Sequence, residues 1–275
     1  MSLARQLNYI QRLFGSALGY VTFGLGGLIF ALVVVPWIWA GYSEPTSRSL
    51  VLRRAISRSF RLHVNLMRTL GVLDYRVQYR ERLYPGQLII ANHPTLMDVV
   101  FLVGFIDNAV CVVKDGLLHN FWMGFVIRAA NYVSSKEPER MIEACADALQ
   151  RGESIIIFPE GTRTVPGERS QLQRGAAYIA LQAHVRLRPV RISCVPGSMA
   201  KMQAWYDIPE SKMQFTFVVD QEIDASDYYD KQRTLGARGV NQEIERVLLN
   251  ISSSTARRAT VESTWPHKTG EGIQR

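Results

Sequence analysis

Thiols are scarce in this chain of 275 residues. Cys111, Cys145 and Cys194 are its only cysteines, an odd set without Cys-x-x-Cys spacing. That pattern argues against a disulfide scaffold and a structural zinc site, and it fits a reducing, cytoplasm-facing domain. Cys111 and Cys194 sit in apolar runs and read as small core residues. Acidic residues are also in short supply: 24 Asp and Glu face 32 Lys and Arg, leaving a net charge of +8. No zinc-finger, homeodomain or RNA-stacking signature accompanies this charge, so nucleic acid is not the expected partner. There is no Gly-x-Ser-x-Gly elbow and no internal repeat.

The most informative absence is that of charge between Leu13 and Ser43. This segment holds Leu28, Ile29, Phe30 and the run Leu32 to Val35, with Trp37, Trp39 and Tyr42 placed as at a membrane interface. It exceeds the roughly 20 residues that cross a bilayer core. A cleaved signal peptide has a shorter apolar region and a small-residue cleavage site, and a buried core helix is the remaining alternative. Gly15, Gly19, Gly24, Gly26, Gly27 and Pro36 leave both a crossing helix and a re-entrant hairpin open. Charge returns as arginine: Arg48, Arg53, Arg54, Arg58, Arg61, Arg68, Arg76, Arg80 and Arg82 are opposed only by Asp74 and Glu81. Such a stretch is expected to stay on the cytoplasmic side and to meet anionic headgroups, at about 1 kcal/mol per arginine near the surface. The expected location is the cell inner membrane, with the remainder of the chain in the cytoplasm.

Beyond Leu70 short apolar runs alternate with helical stretches. Strands are expected at 88–91, 110–113, 132–133, 154–158, 190–194 and 215–219. Helices are expected at about 94–105, 118–129, 138–150, 174–183 and 231–249. This alternation implies an α/β fold with a mostly parallel central sheet flanked by helices, preceded by an N-terminal helical membrane anchor. The organisation read from the chain is an anchoring segment with a basic surface helix at 1–70, an α/β domain at 71–251, and a polar, disordered tail at 252–275. Ligands of such sheets bind beyond the carboxyl ends of the strands.

Two motifs occupy that position. Asn92-His93-Pro94-Thr95-Leu96-Met97-Asp98 follows the strand at 88–91. Pro94 suits the first position of a helix, with Asn92 or His93 at its cap. With His93 in the non-helical entry, the chain folds the imidazole back to Asp98, which fixes the tautomer and leaves the other ring nitrogen as a base. The alternative is a capping histidine beside a helix-dipole carboxylate. The second motif, Phe158-Pro159-Glu160-Gly161-Thr162-Arg163-Thr164, follows the strand at 154–158. Gly161 permits a tight turn, while Thr162 and Arg163 supply donors suited to a phosphate. Glu160 is placed to orient Arg163 or to hold a substrate hydroxyl, and an ordinary turn with an internal Glu-Arg pair is the alternative.

Together these motifs resemble those of the glycerolipid acyltransferase superfamily, typified by the 1-acylglycerol-3-phosphate acyltransferases. Asn92, His93 and Asp98 match its Asn-His-x4-Asp block. Phe158 to Arg163 match its Phe-Pro-Glu-Gly-Thr-Arg-Ser block, with Thr164 for the serine. The pair stands 67 residues apart from His93 to Glu160, and Pro189-Val190 matches a weaker proline block. The resemblance spans roughly residues 75–220 and implies His93 as general base, Asp98 as its partner, and Glu160, Gly161, Thr162 and Arg163 as the acceptor-binding loop. Lys114 matches a basic position that assists with phosphate. It further implies acyl carrier protein or coenzyme A thioesters as co-substrate, membrane lipids as partners, and no metal or bound cofactor. One block departs: where the family carries an arginine, this chain reads Ala129-Ala130-Asn131-Tyr132-Val133-Ser134-Ser135, followed by Lys136. An ammonium lacks the planar fork of a guanidinium, which leaves the acceptor open between lysophospholipids and related lipid alcohols. A non-enzymatic lipid-binding relative and a lysophospholipid hydrolase are the rival readings.

Overall fold

The computed structural model describes residues 3–121, 123–165, 170–199 and 206–249; the tail expected at 252–275 lies outside them. The uncharged segment forms one unbroken helical rod: α1 (Leu3–Ile29), a π-helical turn (Phe30–Val34) and α2 (Val35–Gly41). Pro36 does not reverse the chain. It sits in the first turn of α2, directly after the π-turn, which accommodates the missing N–H and the bulk of the ring. The reversal comes at Tyr42–Glu44, and α3 (Pro45–Thr69) returns alongside α1. Glu44 caps α3 by accepting from the Ser47 N–H at 2.9 Å, and Pro45 occupies its first turn. Close approach of the two helices needs small residues: a Cβ on Gly19 would lie 2.2 Å from Met67 Sδ, and one on Gly15 2.7 Å from Val72. Phe23 then packs against Phe60, tilted, and against His63, edge-on, at centroid distances of 5.9 and 5.5 Å.

The arginine-rich stretch is therefore a structural helix, and its arginines do not act alike. Arg53 is not at a surface at all: it is 1% exposed and donates to Glu153 at 2.7 Å, Asn108 at 2.8 Å and the Ala130 carbonyl at 3.2 Å. Arg61 pairs with Asp107 and Arg68 with Asp74. Burial of Leu52, Ile56, Val64 and Met67, together with Arg53, drives this packing.

The remaining elements follow in chain order: β1 (Leu73–Gln78), β2 (Leu88–Ala91), α4 (Asp98–Phe105), β3 (Ala109–Val113), α5 (Asp115–Leu118), α6 (Gly124–Ala129) and β4 (Val133–Ser134). After these come α7 (Pro138–Gln150), β5 (Ser154–Ile157), α8 (Gly175–Ala183), β6 (Leu187–Val195), β7 (Met213–Val219) and α9 (Arg233–Leu249). The sheet order is β1-β7-β6-β2-β5-β3-β4, mostly parallel, with β7 antiparallel to β6 and parallel to β1. Two elements differ from expectation. The helix expected at 118–129 is two short helices, and β1 is a further strand ahead of those expected.

Side chains alternate across the pleat, so β2 sends Ile89 and Ala91 to one core and Leu88 and Ile90 to the other. The first core is covered by α3, α4 and the end of the N-terminal rod; the second by α7, α8 and α9. β2 and β5 are neighbours in parallel, with Ile90 opposite Ile157. Both motif loops therefore leave the sheet side by side, at the same edge.

Arg53 and Glu153 bind the N-terminal edge of the sheet to α3, and removing one partner leaves a buried charge. Arg53→Met is expected to lower the unfolding free energy by about 3 kcal/mol, and Arg53→Met with Glu153→Leu to recover most of it. Denaturant unfolding in detergent micelles checks both.

Candidate active site

The chain leaves β2 at Ala91 and is at once tied to its neighbours. The Asn92 side-chain amide bridges the backbone of Ile192 on β6, donating to its carbonyl at 2.8 Å and accepting from its N–H at 2.7 Å. This extends the pairing of β2 by one residue through a side chain. His93 is then held from both ends of its peptide by the other motif. Its N–H donates to Glu160 Oε1 at 2.8 Å, and its carbonyl accepts from the Thr164 N–H at 2.8 Å.

The imidazole is oriented as firmly. Nδ1 lies 2.9 Å from Asp98 Oδ2, and the ring stacks on Phe158 with centroids 4.3 Å apart and planes 25° apart. No hydrogen bond among the described residues occupies Nε2, and the side chain stays 15% exposed. The expected helix start at Pro94 is displaced: residues 94–97 form a turn, and α4 begins at Asp98. Asp98 itself causes this. Its carboxylate accepts from the Thr95 N–H at 2.7 Å and the Thr95 hydroxyl at 2.7 Å, closing a local turn that competes with helical hydrogen bonding.

Asp98 is fully buried. A carboxyl that accepts from Thr95 N–H, Thr95 Oγ1 and His93 Nδ1 acts as an ionised acceptor, so the proton on the pair sits at Nδ1. Burial pushes the Asp98 carboxyl above the ordinary carboxylate range, against the pull of His93 and Thr95. Its folded value being the higher one, this group's share of stability is full below the ordinary carboxylate range. That share is lost as pH rises through the folded value. The fold thus carries an ionised carboxylate at a cost, as functional sites do.

In the second loop Glu160 is turned inward. It is 8% exposed, and besides the His93 N–H it accepts from the Thr164 hydroxyl at 2.9 Å and the Ser170 hydroxyl at 2.6 Å. Gly161 has φ +65°, and a Cβ there would lie 2.7 Å from the Gln173 amide nitrogen, so the turn requires glycine on both counts. Arg163 donates to the Met199 carbonyl at 3.0 Å, and the same carbonyl accepts from the Leu96 N–H at 3.1 Å. Arg163 also lies within electrostatic reach of Tyr20, so α1 passes beside this rim. Thr162 is half-buried in the same turn.

Lys114 is exposed at the carboxyl end of β3, on the same edge but two strands from β2, roughly 10 Å away. Lys136, where the family's arginine is missing, pairs at 3.6 Å with Asp115, which also holds His119 at 3.4 Å and Ser134 at 3.2 Å. The backbone amides at the entry to α4 are committed within the protein and are not free to cradle an oxyanion. The N–H of Thr95 goes to Asp98, that of Leu96 to Met199, and that of Met97 to the Thr95 hydroxyl. Burial pushes all three cysteine thiols up to about 12, which disfavours the thiolate a nucleophile needs.

Residues missed at the level of sequence are Thr95, Phe158, Ser170 and the bridging role of Asn92. Thr95 stands three before Asp98, a spacing that marks a capping box and that would have located it. Ser170 carries no such signal.

Among the described residues the site is a histidine oriented by a buried carboxylate at the carboxyl edge of an α/β sheet, an arrangement able to accept a proton from a bound hydroxyl or water. Residues 74–193 match the Acyltransferase family model. The 1-acyl-sn-glycerol-3-phosphate acyltransferase of Helicobacter pylori is 25% identical over 112 residues, covering 38% of this chain and 47% of that protein. That of Pseudomonas aeruginosa is 25% identical over 137 residues, covering 47% and 53%. The aligned segments thus span about half the length of these relatives. The crystal structure of the 1-acyl-sn-glycerophosphate (LPA) acyltransferase, PlsC, from Thermotoga maritima shares the fold, with a TM-score of 0.60 at 18% identity, over 87% of this chain and 97% of that one. These comparisons support the glycerolipid acyltransferase superfamily for the segment 74–193.

The pairing at Nδ1 has a direct spectroscopic consequence. In its neutral form His93 is expected to carry the proton on Nδ1, and Asp98→Asn to move it to Nε2. Nitrogen-15 NMR of the imidazole distinguishes the two, and an unchanged tautomer would contradict the assignment.

Proposed function

We propose that the protein is a membrane-associated O-acyltransferase that moves a fatty acyl group from a thioester to the hydroxyl of a lysophospholipid or related lipid alcohol. The single observation that carries this reading is the His93–Asp98 pair with Nε2 left for a substrate. On this reading His93 takes the proton of the acceptor hydroxyl as its oxygen attacks the thioester carbonyl. Asp98 stabilises the imidazolium that forms, and collapse of the tetrahedral intermediate expels the thiolate, which leaves as a thiol. The donor is a thioester of acyl carrier protein or coenzyme A, and the enzyme itself holds no metal or cofactor.

Glu160 and Gly161 act by position: they fix the turn that clamps the His93 peptide. Arg163, Thr162 and Lys114 line the rim as the acceptor's headgroup site, with Arg163 the cation that the loop brings beside the base. Lys136 is turned to Asp115, so a phosphate on the acceptor depends on Arg163 and Lys114 rather than on the position where the family carries arginine.

The uncharged rod serves as the anchor. The apolar helix Gln6–Gly41 is long enough to cross a bilayer. It is, however, tied to the globular domain from Arg12, which donates to the Glu210 carbonyl, to Trp39, whose ring packs 5.5 Å from Phe125. A helix held along the domain over that length, roughly 40 Å at 1.5 Å per residue, cannot cross without taking the domain into the lipid. It lies instead in the interface, with Leu7, Phe14, Val21, Leu25, Leu32 and Trp37 exposed to acyl chains. Tyr20 then sets the edge of the site at the bilayer, where insoluble donor and acceptor arrive by lateral diffusion. The location that follows is the cytoplasmic face of the inner membrane.

Purified protein in micelles, labelled acyl thioester and a panel of lysolipids test this reading. Acylated product is expected, and His93→Ala should lower its rate by about 10³-fold. Transfer within a few-fold of wild type in that variant would remove His93 as the base; free fatty acid without ester would point to hydrolysis.

A further inference from the structure

Beyond the anchor rod, large apolar side chains are also exposed on the α/β domain, most of all at the turn from α5 to α6. The turn from α5 to α6 places Phe121 at 85% exposure, with Leu117 and Met123 also exposed. Such a cluster stands alone on few protein surfaces, and this one continues another. Phe125, two residues beyond Met123, packs edge-on against Trp39 at 5.5 Å. Trp37 and Tyr42, at the end of the rod, are also exposed. The apolar surface of the rod therefore runs on into the α5–α6 turn.

Cations outnumber acids around the turn. Between Lys114 and Lys136 the chain holds Lys114, Arg128 and Lys136 against one acid, Asp115, which faces Lys136 at 3.6 Å. Arg128 braces the turn by donating to the Leu118 carbonyl, and its side chain is exposed. Apolar tips ringed by cations are what an anionic bilayer surface binds: rings enter the headgroup–acyl boundary while cations meet phosphates.

We infer that the α5–α6 turn, through Leu117, Phe121 and Met123, is a second membrane-contacting element that seats on the headgroup–acyl boundary of an anionic bilayer. It rests on the interfacial reading of the rod given above. The turn joins β3 to β4 at the carboxyl edge of the sheet, the edge that carries His93 and Arg163. Two contacts, rod and turn, hold that edge against the lipid, where one contact leaves the domain free to tilt about the rod.

The test uses the full chain and vesicles of phosphatidylcholine with and without phosphatidylglycerol. Phe121→Asp with Met123→Asp is expected to weaken partition to the anionic vesicles by about tenfold, while acyl transfer in micelles stays near wild type. As a second measurement, Phe121→Cys carrying an environment-sensitive dye should shift its emission to the blue on adding anionic vesicles. Cys111 and Cys145 are buried, and labelled wild type corrects for Cys194. Partition within twofold of wild type and an unshifted dye would overturn the inference. So would a variant that binds vesicles normally yet loses transfer only from a protein-borne donor, which would make the turn a protein-docking site. A wild type that transfers acyl groups in micelles but binds no vesicles would sink the anchor and this inference together, leaving the acyl-transfer reading intact.

Discussion

The parallel pairing of β2 with β5 is the constraint on which the site depends. With Ile90 opposite Ile157, the strands end level, and the loops that follow meet directly above them. The hydrogen bonds from the His93 N–H to Glu160 and from the Thr164 N–H to the His93 carbonyl are then short-range consequences of register. Two segments far apart in sequence become one rigid unit. Slippage of the pair by one residue would exchange its core faces, so the packing that defends the register also defends the geometry of the His93–Asp98 pair.

The unit is held by buried polar groups, each satisfied in a way that fixes direction. Asp98 accepts from Thr95 and His93, and Glu160 from His93, Thr164 and Ser170. Burying such carboxylates is unfavourable unless every lone pair finds a donor. The raised pKa of Asp98 is the sign that even here compensation is incomplete. A hydrophobic replacement would suit the fold better; the carboxylate is explained by what it does to the imidazole.

Much of this was legible in the chain. Strands 88–91 and 154–158 declared themselves as uninterrupted apolar runs, and the motifs after them could only lie at the carboxyl edge. β1 was missed although Leu73, Tyr75 and Val77 alternate with Asp74, Arg76 and Gln78, because the arginines around it drew the reading to a basic surface. Arg53 was misread for the same reason: composition gives charge, and only Glu153, one hundred residues on, explains its burial. The inward turn of Glu160 was also out of reach, since its partners Thr164 and Ser170 belong to a loop without periodicity. Helix length showed that the rod is able to cross a bilayer; only its contacts with Met67 and Phe125 show it bound along the domain.

The central claim is that Asp98 acts through His93, as an orienting carboxylate, and the most direct measurement is a double-mutant cycle on acyl-transfer rates. His93→Ala, Asp98→Asn and the double variant would be compared with wild type at saturating lysolipid. The account predicts that each single change costs at least about 10²-fold and that the double variant falls within a few-fold of the worse single one. Losses that multiply would show two independent roles and would contradict it.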